Sequence, residues 1–209
     1  MRKEKIERKK KKNKIRAIEE KILKIAIELA KEGEGALFVI GKPEYSLLVK
    51  QEIKPFNVLE SGTEKTLKAI ATIDGAVIIS EEGQVLHYGA MIKQPKPLLG
   101  YGTRHAAALT ASKKNNIAIL CSEEEHKVKV FKNGKFIMQI DALEKGIEKE
   151  IPKITTFLET IGAGFVGTIG VATLAPTLGV TLLPGVLIFG GSYFAIKTII
   201  KKLKRIRKK

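Results

Sequence analysis

Apolar residues recur at Ile15, Ile18, Ile22, Ile25 and Leu29, a spacing of three and four that predicts a helix with one buried face. Glu19, Glu20, Lys21 and Lys24 fall mostly on the opposite face, and Gly33 and Gly35 stop the helix. This helix either packs on the following domain, pairs with a second subunit as a short coiled coil, or lies on a membrane surface. The period then shortens. Apolar runs at 36–40, 46–50, 76–80, 85–91, 116–121, 127–132 and 136–140 read as strands. Helices are predicted near 63–72, 103–113 and 141–150. Glu82-Gly83 and Asn133-Gly134 occupy tight-turn positions between strands, which makes those pairs antiparallel. The predicted fold class is α/β, with a mixed sheet and helices around it.

The pattern changes again near the C-terminus. From Thr160 to Ile196, 37 residues pass without a charge. One membrane crossing needs about 20 apolar residues. Pro176, Gly179, Pro184 and Gly185 interrupt the run. These features predict a transmembrane helical hairpin, with arms near 156–175 and 180–199. Glycines such as Gly162, Gly164, Gly190 and Gly191 suit close helix contact in lipid. The expected organisation is a basic N-terminal helix over 1–32, a domain over 33–150, a membrane hairpin over 151–200 and a basic tail over 201–209.

Charge sharpens this division. The formal net charge is +16. Residues 1–16 hold ten Lys/Arg against two Glu, and residues 197–209 hold eight Lys/Arg and no acid. Each end thus carries +8, and the middle is neutral. Basic ends attract polyanions such as nucleic acid or an anionic membrane face. The tails lack an aromatic-rich basic face, so nucleic acid ranks last. The single cysteine, Cys121, lies in an apolar run and reads as core; one thiol excludes an internal disulfide. No Cys/His cluster has zinc-ligand spacing. His87 reads as structural and His126 as a solvated loop residue. No GxGxxG follows a strand, and no P-loop is present.

Two segments carry chemistry. Asp74-Gly75-Ala76 sits at the mouth of the run Ala76-Val77-Ile78-Ile79. A carboxylate beside a glycine at a strand end can hold a metal or a hydroxyl close to the backbone. Gly102-Thr103-Arg104-His105 opens a helical run. Free N–H groups, a hydroxyl, a guanidinium and an imidazole there suit a polyphosphate. Together they predict a nucleotide site with an acid on one wall and cations on the other.

In order and spacing, residues 35–140 resemble the diadenylate cyclase domain, found in DNA integrity scanning protein DisA and in membrane-bound bacterial cyclases. The resemblance is carried by Asp74-Gly75-Ala76, Gly102-Thr103-Arg104-His105, Ser122-Glu123-Glu124 and the opening strand Gly35–Ile40. It implies condensation of two ATP into cyclic di-AMP plus two pyrophosphates at a homodimer interface, with Mn²⁺ or Mg²⁺. It implies Asp74, Arg104 and His105 as catalytic residues. Gly75, Ala76, Gly102, Thr103 and Ser122 would bind nucleotide, and Asp74 and Glu124 would hold the metal. An ATP-using domain faces the cytoplasm, and the basic tail stays on that side of the cell membrane.

Two positions depart from the pattern. The common motif has Arg after His, where this chain has Ala106, and Ile73 stands where many membrane-bound relatives have His. Lys93, Lys96, Lys113 or Lys114 are the sequence's candidates to replace the lost charge. The departure leaves an alternative open: a catalytically weak or inactive nucleotide-binding membrane sensor.

Overall fold

The computed structural model describes residues 2–95, 102–162 and 180–182. Its centre is an eight-stranded mixed sheet in the order β2-β4-β3-β1-β5-β6-β7-β8. The strands are β1 (Ala36–Ile40), β2 (Tyr45–Leu47), β3 (Ala76–Ile79), β4 (Val85–Ile92), β5 (Ile117–Ser122), β6 (Lys127–Lys132), β7 (Lys135–Asp141) and β8 (Val180–Leu182). Only β1 and β3 pair in parallel; the other pairs are antiparallel. The predicted turns close the β3–β4 and β6–β7 hairpins. Asn133 and Gly134 both have positive φ, 53° and 67°, as a two-residue turn matched to strand twist requires.

Helices cover both faces, which is why the central strands read as unbroken apolar runs. Phe38, Ile40, Val77, Ile79, Ile119, Cys121, Val128 and Val130 face α1 (Arg2–Lys31), α2 (Glu64–Ala71) and α4 (Ile151–Gly162). Leu37, Val39, Ala76, Ile78, Ala118 and Leu120 point the other way, toward α3 (Thr103–Ala111).

The N-terminal helix is part of this core. Ile18, Ile22, Ile25 and Leu29 are buried as predicted, and so are Leu23, Ala26, Ile27 and Ala30. The helix is enclosed on several sides because α2 and α4 flank it on the sheet. It runs unbroken from Arg2 to Lys31, with Lys11–Glu81 and Lys12–Glu159 ion pairs at 2.7 and 3.2 Å. His126, expected in solvent, instead is half-buried with Nδ1 2.8 Å from the Ala30 carbonyl at the end of α1. Cys121 is buried, and burial pushes its thiol pKa up, out of the range of a nucleophile.

Enclosure traps a charge that periodicity places on the outer face. Glu19 is 1 % exposed, and its Oε2 has no hydrogen-bond partner. Burial raises its pKa to about 7, helped by Glu159 and Glu20 and opposed by Lys132 and Arg16. Lys132 is buried too; its Nζ donates to the Leu158 carbonyl at 2.9 Å. Burial lowers the Lys132 pKa against the pull of Glu19 and Glu159. An acid with a raised folded pKa is tolerated while protonated and destabilises once ionised. Its unfavourable contribution grows as pH rises from about 4.5 through 7, up to about 3 kcal/mol. Urea unfolding at pH 5 and pH 8 should therefore show the native chain losing stability at the higher pH. Glu19→Gln should flatten that slope; an unchanged slope rejects the assignment.

Three segments differ from the sequence reading. Of the helix predicted near 141–150, Asp141 ends β7 and residues 142–150 form turns and a short 3-10 helix, Ile147–Glu150, with Gly146 at a left-handed φ of 81° in mid-run. The domain core does not end at 150: Ile151, Ile154, Phe157 and Leu158 of α4 join the same cluster as α1. Val180–Leu182, expected to start the second membrane arm, is a strand paired with Met138–Ile140. A Val-Thr-Leu segment beside the open backbone edge of β7 completes a ladder there. Among the described residues, no helix is long and apolar enough to cross a membrane. The rest of the predicted hairpin, 163–179 and 183–199, lies outside the described residues, as does the tail.

Candidate active site

The strand order gathers one end of the sheet. Parallel pairing sets the start of β3 beside the start of β1, and antiparallel pairing sets the end of β5 on β1's other side, with Ala36 opposite Cys121. Helix α3 begins at the same end. Asp74, Gly102, Thr103, Arg104, His105, Ser122 and Glu124 accordingly line one cleft of about 440 Å³. The acidic strand end and the cationic helix start thus meet across a single space.

Each wall has its own construction. Asp74 is exposed, and its Oδ1 accepts the Gly75 N–H at 3.0 Å. Gly102 stands at the N-cap of α3 in extended conformation, with no side-chain cap. The first N–H groups of a helix have no carbonyl within it to bond, and the helix dipole adds positive potential there. Arg104 Nη1 lies 3.3 Å from Glu123 Oε2, and both side chains are about half exposed. Such a pair contributes little to stability and yields readily to a phosphate. His105 is half-buried, and its Nε2 lies 2.9 Å from Lys129 Nζ. Lys129 also forms an ion pair with Glu125. Burial lowers the His105 pKa first and the Lys129 charge second, against Glu125. The Lys129 hydrogen bond holds the Glu125 carboxyl below its ordinary range.

A second pocket of about 320 Å³ adjoins the first and shares Asp74, Thr103 and Arg104 with it. Leu37, Leu48, Ala90, Met91, Ile92 and Ala107 make its walls largely apolar. Gly75 lines this pocket, whereas Ala76 is 1 % exposed, belongs to the sheet core and lines neither space. Its side chain therefore cannot serve as a nucleotide contact. Gly75 is also constrained by the fold: its φ is +105°, and a Cβ there would sit 2.7 Å from the Gly89 carbonyl carbon.

Two residues of this corner escape the motif reading, Lys129 and Gly35. Gly33, with φ +74°, already ends α1: its N–H bonds Ala30 O and the Glu34 N–H bonds Leu29 O. Gly35 does something else. A Cβ at Gly35 would lie 2.2 Å from Arg104 Nη1 and 2.7 Å from Glu123 Oε2. Its missing side chain is the space in which the guanidinium rests. The sequence signal was a second glycine that the helix stop does not need. Gly35→Ala should change stability by less than about 1 kcal/mol, because a long side chain can swing aside. It should lower activity on the order of tenfold or more by displacing Arg104. Paired melting curves and rate measurements check both halves.

The residues also bear on a metal. Among the described residues, no three His, Cys, Asp or Glu side chains converge as a ligand set. Asp74 and Glu124 face the same cleft. One or two carboxylates plus substrate phosphates are the usual holding set for Mg²⁺, so the donors fit a metal shared with a nucleotide.

Fold and cleft together define an α/β domain whose site lies at strand ends beside a helix N-terminus. The chain belongs to the family described as DisA bacterial checkpoint controller nucleotide-binding, whose model matches residues 24–136. It is similar to a protein named diadenylate cyclase from Methanocaldococcus jannaschii, 32% identical over 139 residues, covering 57% of this chain and 44% of that protein. It is also similar to a diadenylate cyclase from Haloferax volcanii, 30% identical over 141 residues, covering 57% and 51%. The chain spans about half the length of the curated relatives it matches. Among solved structures, DacA from Staphylococcus aureus aligns at 22% identity and TM-score 0.40, covering 57% of this chain and 84% of that one. A hypothetical membrane spanning protein from Bacillus cereus aligns at 21% identity and TM-score 0.41, covering 55% and 59%.

Proposed function

We propose that the chain is a diadenylate cyclase that joins two ATP molecules into cyclic di-AMP and releases two pyrophosphates. The observation that carries this reading is the shared cleft of Asp74 and Gly102–His105. In the reaction, each 3′-hydroxyl attacks the α-phosphorus of the other ATP, and the bond to the pyrophosphate breaks. The polar cleft suits a triphosphate, and the adjoining apolar pocket suits an adenine ring. Arg104, the Thr103 hydroxyl and the α3 N-terminus face the negative charge that develops on phosphorus. Asp74 orients and polarises the attacking hydroxyl. When bound, a divalent cation held by Asp74, Glu124 and phosphate oxygens supplies charge neutralisation.

The cleft of Asp74 and Gly102–His105 takes one ATP, so joining two needs two copies facing each other. Outside α4 and β8, the uncharged residues 163–179 and 183–196 favour membrane attachment, with the domain on the cytoplasmic side. Tethering would raise the effective concentration of facing domains. Incubating the purified full chain with ATP and Mn²⁺ or Mg²⁺ should give cyclic di-AMP by mass spectrometry, at a specific activity that rises with protein concentration. ATP bound without product over hours would reject the cyclase reading in favour of nucleotide sensing.

A further inference from the structure

Lys129 is 1 % exposed, which is unusual for its residue type. It lies on β6 opposite Leu120 of β5, and Leu120 belongs to the cluster beneath α3. The ammonium therefore sits on the α3 face of the sheet, between His105 Nε2 at 2.9 Å and the Glu125 carboxylate. Burying such a charge is costly, and an apolar side chain of similar length would fill the same space without that cost. The residue after His105 on the helix is Ala106, which is buried and whose side chain has no donor. The cation behind this wall of the cleft thus comes from the strand and not from the helix. Of the substitutes the sequence offers, Lys93, Lys113 and Lys114 are not among the residues lining the cleft, and Lys96 lies outside the described residues.

The geometry points to Lys129 as a positioning residue that fixes His105 in a single tautomer and places a buried positive charge behind the phosphate-facing wall. The chemistry is simple. An ammonium has donors only, so the His105 Nε2 beside it must accept. A ring that accepts at Nε2 carries its proton on Nδ1. The ion pair with Glu125 fixes where the Lys129 Nζ stands. The lowered pKa of His105 agrees with a ring that stays uncharged beside this ammonium.

The role in turnover rests on the cyclase reading; the tautomer does not. Two-bond ¹H–¹⁵N spectra of the full chain, assigned with His105→Gln, should show His105 protonated at Nδ1. In Lys129→Met, the Nε2–H form should appear. A native ring protonated at Nε2, or the same spectrum in both proteins, overturns the proposal whatever the enzyme does. With ATP, Lys129→Met should lose kcat on the order of tenfold or more while melting at or above the native temperature. Lys129→Arg, which keeps the charge and a donor, should recover most of the rate. A Lys129→Met enzyme within twofold of native, or an arginine variant as impaired as the methionine one, also overturns it. Absence of product from the native chain would sink the cyclase reading and leave the spectra to decide Lys129.

Discussion

Asp74→Asn is expected to fold like the native chain and to lose product formation by on the order of a thousandfold. The two halves of that expectation have separate grounds. Asp74 is exposed, and its Oδ1 accepts the Gly75 N–H, which an asparagine Oδ1 accepts equally well. Shape and local hydrogen bonding are therefore kept. What goes is the negative charge opposite Arg104 and the α3 N-terminus, the charge that would polarise a hydroxyl and hold a divalent cation. Because the substitution is isosteric, ATP binding should weaken much less than turnover. Product quantified by mass spectrometry, with a melting curve alongside, reads both. A variant that keeps a rate within tenfold of native removes Asp74 from the chemistry.

The second large effect concerns its neighbour and is one of stability. Gly75→Ala places a methyl 2.7 Å from the Gly89 carbonyl carbon and 2.8 Å from the Ala90 nitrogen. Those atoms are backbone of β4, which cannot move aside as a side-chain tip can. Pairing of β3 with β4 is already irregular here, with register shifts after Ala76 and after Ile78. Gly89 itself has φ +58°, and a Cβ there would strike Val49. Backbone strain of about 1–3 kcal/mol adds to overpacking of about 1–3 kcal/mol. The sum, about 2–6 kcal/mol, is a large part of a domain's usual stability of about 5–15 kcal/mol. Urea denaturation measures it, and Gly102→Ala is the control. Among the described residues nothing lies within 4 Å of a Cβ at Gly102, and its φ is −73°, so that change should stay within about 0.5 kcal/mol. Equal losses at the two glycines would show that the close crossing of β3 and β4 is not the constraint.

Local signals explain what could be read before the structure. The strands announced themselves by apolar runs bounded by turns, and Asn133-Gly134 placed a hairpin because both residues tolerate positive φ. Asp74 and Gly102–His105 were legible as a site because each sits at an element boundary with a distinctive set of donors. Long-range facts were not. Gly35 looks like part of a helix stop until Arg104, 69 positions away, is seen lying against it. Lys127-Val128-Lys129-Val130 alternates as a strand with one wet face does, yet Lys129 is covered by His105. Glu19 belongs to the polar side of α1 by spacing, and α4 buries it. Residues 180–182 read as membrane helix from their apolar surroundings, while the vacant edge of β7 made them a strand. In each case the deciding partner lies far along the chain.

The two faces of the sheet are packed differently. On one face the sheet meets α1, α2 and α4, helices that bring isoleucines and leucines; on the other face Leu37, Val39, Ile78, Ile92 and Leu120 meet α3 through its small residues Ala108 and Ala111. Small residues on the helix let α3 settle close to the sheet, while its first turn stays open to the cleft. Robustness resides on the remote side and reactivity on the near one. Descendants of this sequence can thus remodel the loops and charges around the catalytic mouth while the distant aliphatic layer keeps them folded.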